Sequence, residues 1–233
     1  MNKKDEINRI KEASISNSKV EHSVFFHSHL FMMQERQREI ISFLNRFGKA
    51  ANIFNEKVLD IGCGSGMGLK EFLLYGAQPG NLYGVDIIEK RIEKAKSRLF
   101  GANFICASAE KLPYEDGFFD IVMQSTAFTS ILDDEMKQRI AKEMLRILKD
   151  DGIIIWYDFI WNPINQNTKG IGKKELQRLF SDCKFCFKRI TLAPPLVRLI
   201  VPISWIVACF LEKIPLLRTF YLAIIQKGGK TNK

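Results

Sequence analysis

An acid followed by four alternating glycines is the feature of this chain whose residue types most directly suggest chemistry. Within "VLDIGCGSGMGLKEF" the acid is Asp60, and the glycines are Gly62, Gly64, Gly66 and Gly68. Glycine tolerates positive φ and lets a ligand approach the backbone closely. The helix predicted to follow offers free N–H groups at its start. The pattern therefore predicts a nucleotide site at the end of a buried strand.

The spacing of these glycines excludes two common nucleotide motifs. A phosphate-binding GxxxxGK[ST] is absent, and a dinucleotide GxGxxG would need its third glycine at Met67 or Leu69. An acid beside the turn favours a positively charged ligand, and S-adenosylmethionine carries both a sulfonium and an ammonium. Asp86 follows Gly66 by 20 residues, at the end of the next apolar run. Its carboxylate is placed to accept hydrogen bonds from ribose hydroxyls.

The elements that position these residues alternate between apolar strands and amphipathic helices. Strands are predicted at 57–62, 81–86, 103–107, 119–124, 152–160, 186–193 and 219–227. Helices are predicted at 30–47, 68–76, 89–100, 133–149 and 173–180, the fourth with Asp133 as its N-cap. Continuous apolar strands separated by helices are typical of a parallel sheet that is covered on both faces.

Four segments together resemble the class I S-adenosylmethionine-dependent methyltransferases, in the group called methyltransferase type 11. They are "VLDIGCGSG", "LYGVDIIEKRIEKAKSRL", "CASAEKLPYEDGFFDIVMQ" and "EMLRILKDDGIIIWYD". The resemblance covers residues 40–190. It implies an α/β, Rossmann-like, doubly wound and mostly parallel seven-stranded sheet with an antiparallel last strand. An N-terminal helical lid and a helical insertion before the last strand complete the expected fold.

The resemblance also implies a cofactor site for S-adenosylmethionine. Asp60, Gly62 and Gly64 would line its methionine part, and Cys63 would contribute backbone contacts. Asp86 would hold the ribose.

The adenine would lie beside the residues that follow the second and third strands. Ile87 would pack near it, next to Ser108, Ala109 and Glu110. The family often has an aspartate where Ser108 stands. A neutral serine still hydrogen-bonds an amino group, but it is expected to bind more weakly.

The reaction itself asks for few protein groups, because a sulfonium is already an activated methyl donor. The resemblance implies that Gln124 and Ser125 face the methionine carboxylate or the transferred methyl. A hydroxyl acceptor would gain from a general base. The candidates are His27 and His29, which precede the predicted lid helix, and Asp158 at the end of the fifth strand. We expect no metal site.

The net charge of +9 is concentrated at one end of the chain. Residues 184–233 hold nine Lys or Arg and one acid, Glu212. The apolar run 199–211 is too short to span a bilayer, which takes about 20 residues. The segment 193–220 therefore predicts either a helical cap on the acceptor pocket or a basic, apolar surface that rests on a membrane.

These observations divide the chain into four parts. They are an arm and lid helix at 1–48, a Rossmann-like cofactor core at 49–193, a helical insertion at 194–218, and the last strand and tail at 219–233. We expect disorder only within the first 20 residues and the last half dozen. The five cysteines and the polar start predict reduced thiols in the cytoplasm. If the basic, apolar C-terminal region is the membrane-facing surface, the chain would lie peripheral to the inner face of the membrane.

The leading functional prediction is O-methylation of a sugar hydroxyl. The acceptor would be a small molecule or glycan, because the tail resembles methyltransferases found with bacterial surface-polysaccharide biosynthesis. One alternative is a lipid-soluble acceptor, quinone-like or isoprenoid-type, and another is a non-catalytic cofactor-binding protein. Nucleic acid is not expected as a partner, because the basic residues are not interleaved with aromatic ones. The sequence leaves the oligomeric state open.

Overall fold

A seven-stranded sheet with the order β3-β2-β1-β4-β5-β7-β6 forms the centre of the molecule. The computed structural model describes residues 3–16, 25–161 and 167–228. The strands are β1 (Val58–Ile61), β2 (Leu82–Asp86), β3 (Asn103–Cys106), β4 (Phe119–Ser125), β5 (Leu148–Phe159), β6 (Cys183–Leu192) and β7 (Arg218–Lys227). β7 alone among them runs antiparallel, against both β5 and β6. This confirms the predicted fold class.

Eight α-helices flank this sheet within the described ranges. They are α1 (Lys3–Ser16), α2 (His27–Arg46), α3 (Met67–Leu74), α4 (Glu89–Arg98), α5 (Asp134–Ile147), α6 (Lys173–Leu179), α7 (Pro194–Ile200) and α8 (Trp205–Glu212). One face of the sheet packs on α2, α3 and α4 through buried residues such as Ile40, Phe72 and Ile92. The other face packs on α5 and α6 through residues such as Met144 and Leu176.

The parallel register brings the ends of the inner strands to one edge of the sheet. Ile61 at the end of β1 pairs with Val85 of β2 on one side and with Gln124 of β4 on the other. All four residues of β1 are buried. Ligands of doubly wound sheets bind outside this carboxyl edge, where the strand order reverses. Here the reversal falls between β1 and β4.

Two elements differ from their prediction, and both differences come from tertiary contacts. Helix α1 lies within the first 20 residues, where disorder was expected. It has few apolar side chains, but Ile7 and Ile10 pack against the core. Strand β5 begins at Leu148, earlier than predicted, because a register shift between Phe119 and Ile121 extends its pairing with β4.

The predicted insertion before the last strand is formed by α7 and α8. It connects the end of β6 to the start of β7, so it lies at the carboxyl edge of the parallel strands. In the part of the chain that the structure describes, no helix combines the length and apolarity needed to cross a bilayer.

Candidate functional site

A cavity of about 260 Å³ opens at the carboxyl edge of the sheet. Its walls come from the ends of β1 and β2, the segments that follow β3 and β4, and one side of helix α1. Both predicted halves of a nucleotide site, the glycine turn and the acid after the second strand, therefore meet at one cavity. The lid is α1, which contributes Ile7, Ile10 and Ala13, whereas α2 contributes none of the lining residues.

The turn after β1 requires glycine at two positions. Gly62 has φ +70°, and a Cβ there would lie 2.7 Å from the Cβ of Ala127. Gly66 has φ +81°, and a Cβ there would lie 2.6 Å from Cδ1 of Leu99. Both the positive φ and the close neighbours exclude other residues. This is the physical reason for the glycine pattern that the sequence displays.

Asp86 links the end of β2 to this turn. Its Oδ2 accepts the backbone N–H of Gly64 at 3.0 Å, and its Oδ1 accepts that of Ile88 at 2.9 Å. Arg91 Nη1 lies 3.7 Å from Oδ2. Each carboxylate oxygen has a second lone pair, so the side chain can still accept from two ligand hydroxyls. Asp86 lines the cavity, as predicted for a ribose-binding acid.

Asp60 is a buried carboxylate with an unused acceptor. Its side chain is 3% exposed, and Oδ1 has no hydrogen-bond partner among the described residues. Burial, together with the nearby charge of Asp86, raises the pKa of Asp60 to about 8. A Cβ at Gly68 would lie 2.8 Å from Oδ2, so the start of α3 closes down on this carboxylate. A buried acid without a partner is stabilised by a cationic ligand.

Arg36 of α2 is a charged residue near Asp60 that the sequence reasoning missed, although it does not line the cavity. Its guanidinium pairs with the Glu71 carboxylate and lies 5.4 Å from the ring centre of Tyr157. Its Nε is buried and lacks a hydrogen-bond partner among the described residues. The nearby Arg36 charge also counteracts part of the rise in the pKa of Asp60. The sequence did contain a signal for this position. Arg36 lies one helical turn before Ile40, so it falls on the same face of α2 as the predicted apolar residues.

The adenine side of the predicted site is only partly in contact with the cavity. Ile87, Ser108 and Ala109 line it. Glu110 is not among the lining residues. Its carboxylate accepts the Ser108 hydroxyl at 2.9 Å and pairs with Arg139 of α5 at 2.6 Å. Glu110 thus holds α5 against the loop that carries Ser108.

Cys63 and Gln124 are buried next to the glycine turn and the end of β4 and do not line the cavity. Burial, with Asp60 and Asp86 nearby, raises the pKa of the Cys63 thiol, which keeps it neutral. Gln124 is 1% exposed and accepts the N–H of Ala127 at 3.1 Å. Neither is among the lining residues, whereas Ser125 is.

Thr126, which also lines the cavity, has a positive φ of 57°. Such a conformation is unusual for a residue other than glycine, and it clusters at functional sites. Its N–H donates to the Tyr157 carbonyl at 2.9 Å. Sequence reasoning could not find this residue, because no sequence signal marks the strained backbone.

Asp158 holds the loop after β4. It is 1% exposed and accepts the Thr129 hydroxyl at 2.7 Å, the Thr129 N–H at 3.2 Å and the Phe159 N–H at 3.0 Å. Burial raises the pKa of Asp158 to about 7 against the opposing effect of these hydrogen bonds. As a base it would have to leave these partners, so its role in proton transfer stays a prediction.

The two candidate histidines lie at the first turn of α2. His27 is exposed and His29 is half-buried, and neither lines the cavity. Two residues further on, Phe31 packs edge-on against Trp205 of α8 at 5.0 Å. The start of α2 is therefore attached to α8 through Phe31. The catalytic role of the two histidines stays a prediction.

Helix α1 is fixed over the cavity by a buried charge pair. Glu6 is fully buried and accepts the backbone N–H of Leu132 at 2.5 Å. Arg9 pairs with Glu6 at 2.8 Å and donates to the Ser130 carbonyl at 2.5 Å.

Across the described ranges, no group of three or more His, Cys, Asp or Glu is placed to hold a metal ion.

The strand order and the position of the cavity at the switch point are those of a Rossmann-like, doubly wound fold. Residues 59–156 match the family model described as a methyltransferase domain. This match and the solved structures of similar fold confirm the resemblance predicted from the motifs. The similarity to polysaccharide-related enzymes stays a prediction.

The curated relatives cover the same core. The chain is 29% identical over 116 residues to a ubiquinone/menaquinone biosynthesis C-methyltransferase, UbiE, of Burkholderia cenocepacia, and 30% identical to that of Burkholderia mallei. In both cases the match covers 47% of this chain and 46% of the relative. The chain thus matches about half the length of these relatives.

The similar solved structures cover more of the chain at lower identity. A methyltransferase from Archaeoglobus fulgidus aligns with a TM-score of 0.58 at 20% identity, over 85% of this chain and 98% of its own. Magnesium protoporphyrin IX methyltransferase from Synechocystis, solved with bound S-adenosylmethionine, aligns with a TM-score of 0.58 at 14% identity, over 96% and 94%. At these identities the alignments establish the fold.

Proposed function

We propose that this chain binds S-adenosylmethionine and transfers its methyl group to a small-molecule acceptor. The observation that carries the proposal is the carboxylate of Asp60, which is buried beside the glycine turn with an unused acceptor oxygen. The charge and place of this oxygen fit the cofactor's ammonium. The match of residues 59–156 to a methyltransferase domain supports the same conclusion.

Each part of the cofactor has a suitable group, although only some of these groups line the cavity: Asp86, Ser108 and Ala109 do, whereas Asp60 and Arg36 do not. Asp86 would accept from the ribose hydroxyls, and Ser108 with Ala109 would border the adenine. Asp60 would pair with the ammonium, and Arg36, whose Nε is free of protein partners in the described chain, would bind the carboxylate. The bound cofactor would supply an electrophilic methyl group: the acceptor–methyl bond would form as the sulfur–methyl bond breaks, with the neutral thioether S-adenosylhomocysteine as the leaving group. The protein's task is to align the two molecules and to exclude water, and α1 supports the second requirement by covering the cavity.

The acceptor we propose is a sugar hydroxyl carried on a nucleotide or a lipid. This reaction removes a proton from the hydroxyl, so it needs one of the bases predicted above. A second candidate is a lipid-soluble, quinone-like ring. The names of the curated relatives, which are quinone-pathway C-methyltransferases, favour it. The exposed apolar residues of α7 and α8 are compatible with a sugar carried on a lipid and with the quinone-like ring, because both would be presented at a membrane.

The proposal includes the location of the chain. We infer a cytoplasmic protein that rests peripherally on the inner face of the membrane through 194–218. The strong basicity of the last 50 residues supports this placement. No nucleic-acid partner is proposed.

The direct test is transfer of a labelled methyl from S-adenosylmethionine into a cell extract that is then separated into aqueous and organic phases. Label that acid hydrolysis releases as a methylated sugar, from either phase, would support the sugar hydroxyl, whereas label only in organic-phase small molecules that contain no sugar would support the quinone-like ring. No transfer despite cofactor binding would contradict the proposed activity and leave a cofactor-binding protein. The variant Asp60→Asn should abolish label in every fraction. The matched control is Asp151→Asn, a change at an exposed acid, which should leave the label unchanged.

A further inference from the structure

We propose that the surface formed by α7, α8 and the segment after α8 docks on a bilayer that contains anionic lipid. This lipid-facing surface comprises the exposed residues between Arg198 and Leu216. The inference deepens the proposed function and rests on it, because docking would serve methyl transfer to an acceptor at the membrane. The binding itself can be measured without any methyl transfer.

The first argument is the concentration of exposed apolar side chains. Half of the large hydrophobic side chains that are exposed in the described chain lie between residues 199 and 216. They are Leu199, Ile203, Trp205, Ile206, Val207, Phe210, Ile214 and Leu216. Ile203 and Leu216 are each 80% exposed. Contiguous apolar surface of this kind marks an interaction site rather than ordinary scatter.

The second argument is that this surface is held in one orientation. On its inner side, Val197, Val201 and Ala208 are buried with Phe31 of α2. The hydroxyl of Ser204 caps α8 by accepting the N–H of Val207 at 3.3 Å. Ile206, Phe210 and Lys213 then follow at helical spacing on the outer side. The apolar face is therefore a rigid feature of the fold and not the result of a loosely packed helix.

The third argument is the sign of the charge around this surface. Arg198 and Lys213 are exposed, and Lys213 Nζ lies 5.6 Å from the ring centre of Phe210. The single acid between residues 194 and 218 is Glu212. Its side chain is 13% exposed and is paired with Arg38. An apolar face bordered by cations without exposed carboxylates complements anionic lipid headgroups.

The position of this surface relates it to the cofactor cavity. Both lie at the carboxyl edge of the sheet, since α7 and α8 connect the end of β6 to the start of β7. α8 has eight residues and is about 12 Å long, which is too short to cross the hydrocarbon core of a bilayer. We therefore expect it to lie in the plane of the membrane surface. Docking would bring the open edge of the site to the membrane surface, where an acceptor attached to lipid would be found.

The test is flotation of the full chain with vesicles of phosphatidylcholine alone or with added phosphatidylglycerol. We expect binding to the mixed vesicles that weakens with salt. Ile206→Ser with Phe210→Ser should lower it at least tenfold on both vesicles. Arg198→Gln with Lys213→Gln should lower it about fivefold for each cation on the anionic vesicles only. The matched control is Phe54→Ser with Leu74→Ser, two exposed apolar residues elsewhere, which should change nothing.

Three results would overturn the proposal. They are equal binding by the control and the Ile206/Phe210 variant, no binding to anionic vesicles, or a dimer of the wild-type chain that the same variant converts to a monomer. The last result would assign the surface to a second copy of the chain. Calorimetric binding of S-adenosylmethionine by each variant separates this question from the proposed function, since the variants should retain wild-type affinity.

Discussion

Glu6 of α1 accepts the backbone N–H of Leu132 at 2.5 Å, and this contact attaches the first helix to the loop beside the cavity. Glu6 and Leu132 are 126 positions apart in the sequence. Glu6 is fully buried, and the loss of its carboxylate would also remove the ionic partner of Arg9, which would keep its hydrogen bond to the Ser130 carbonyl. The order of α1 therefore depends on these polar contacts together with the packing of Ile7 and Ile10 against the core.

The first prediction concerns this attachment. Glu6→Ala should detach α1, because removing one side of a buried charged hydrogen bond costs about 1–3 kcal/mol. We expect faster amide hydrogen exchange in residues 3–16 and cofactor binding weakened about threefold or more, with the rest of the chain unchanged. The control is Glu12→Ala, an exposed position on the same helix. Unchanged exchange in α1 for Glu6→Ala would contradict its role as the attachment.

The second prediction concerns how the burial of Asp60 makes the stability of the fold depend on pH. Its pKa of about 8 lies above the usual 3.8, so the folded protein holds this proton more tightly than the unfolded chain does. The resulting stabilisation is full below pH 3.8 and is lost as the pH rises through 8. Asp60→Asn should therefore raise the Tm of the cofactor-free protein, and the difference should widen from pH 6 to pH 9. At pH 9 we expect at least about 2 °C.

Thermal unfolding at several pH values checks this prediction, with Asp151→Asn as the control. The Asp151 side chain is 82% exposed, so its variant should give a difference that stays small at every pH. A Tm for Asp60→Asn below that of the wild type at pH 9 would show that the ionised carboxylate has a stabilising partner in the free protein.

The third prediction concerns proton release on cofactor binding. If Asp60 pairs with the ammonium, it must lose its proton, so affinity should fall by up to about tenfold for each pH unit below 8. Calorimetry in buffers of different ionisation enthalpy measures the released proton directly. A pH-independent affinity between 6 and 8 would remove Asp60 from the ligand contacts.

The fourth prediction separates the candidate bases. His27→Gln and His29→Gln should leave cofactor affinity unchanged, and at least one should lower kcat if a histidine removes the acceptor proton. If neither does, the histidine hypothesis is wrong. Asp158→Asn keeps the size of the side chain but weakens its hold on Thr129. A loss of stability without a change in the pH profile of kcat would assign it to loop positioning.

The strands and the glycine turn could be predicted because their signals are local. The apolar run that ends at Ile61 and the positive φ at Gly62 follow from adjacent residue types. Asp86 could be predicted as well, since the spacing between two consecutive strand ends is fixed by the connecting helix. These residues meet at the cavity as the sequence indicated.

The parts that could not be predicted depend on contacts between distant segments. α1 is ordered through Leu132, and nothing near residue 6 encodes that partner. Arg36 of α2 lies near Asp60, where its guanidinium pairs with Glu71 of α3. Glu110 was expected at the adenine, but Arg139 of α5 holds its carboxylate.

The central claim is that the cavity beside Asp86 binds S-adenosylmethionine, and the most direct measurement is titration calorimetry on the wild type and Asp86→Ala. We predict saturable binding to the wild type and at least tenfold weaker binding to the variant. Asp151→Ala serves as the control with unchanged affinity. Circular dichroism should show that the variant remains folded, since Asp86 also holds the N–H of Gly64. Equal affinity of the wild type and a folded Asp86→Ala would contradict the account.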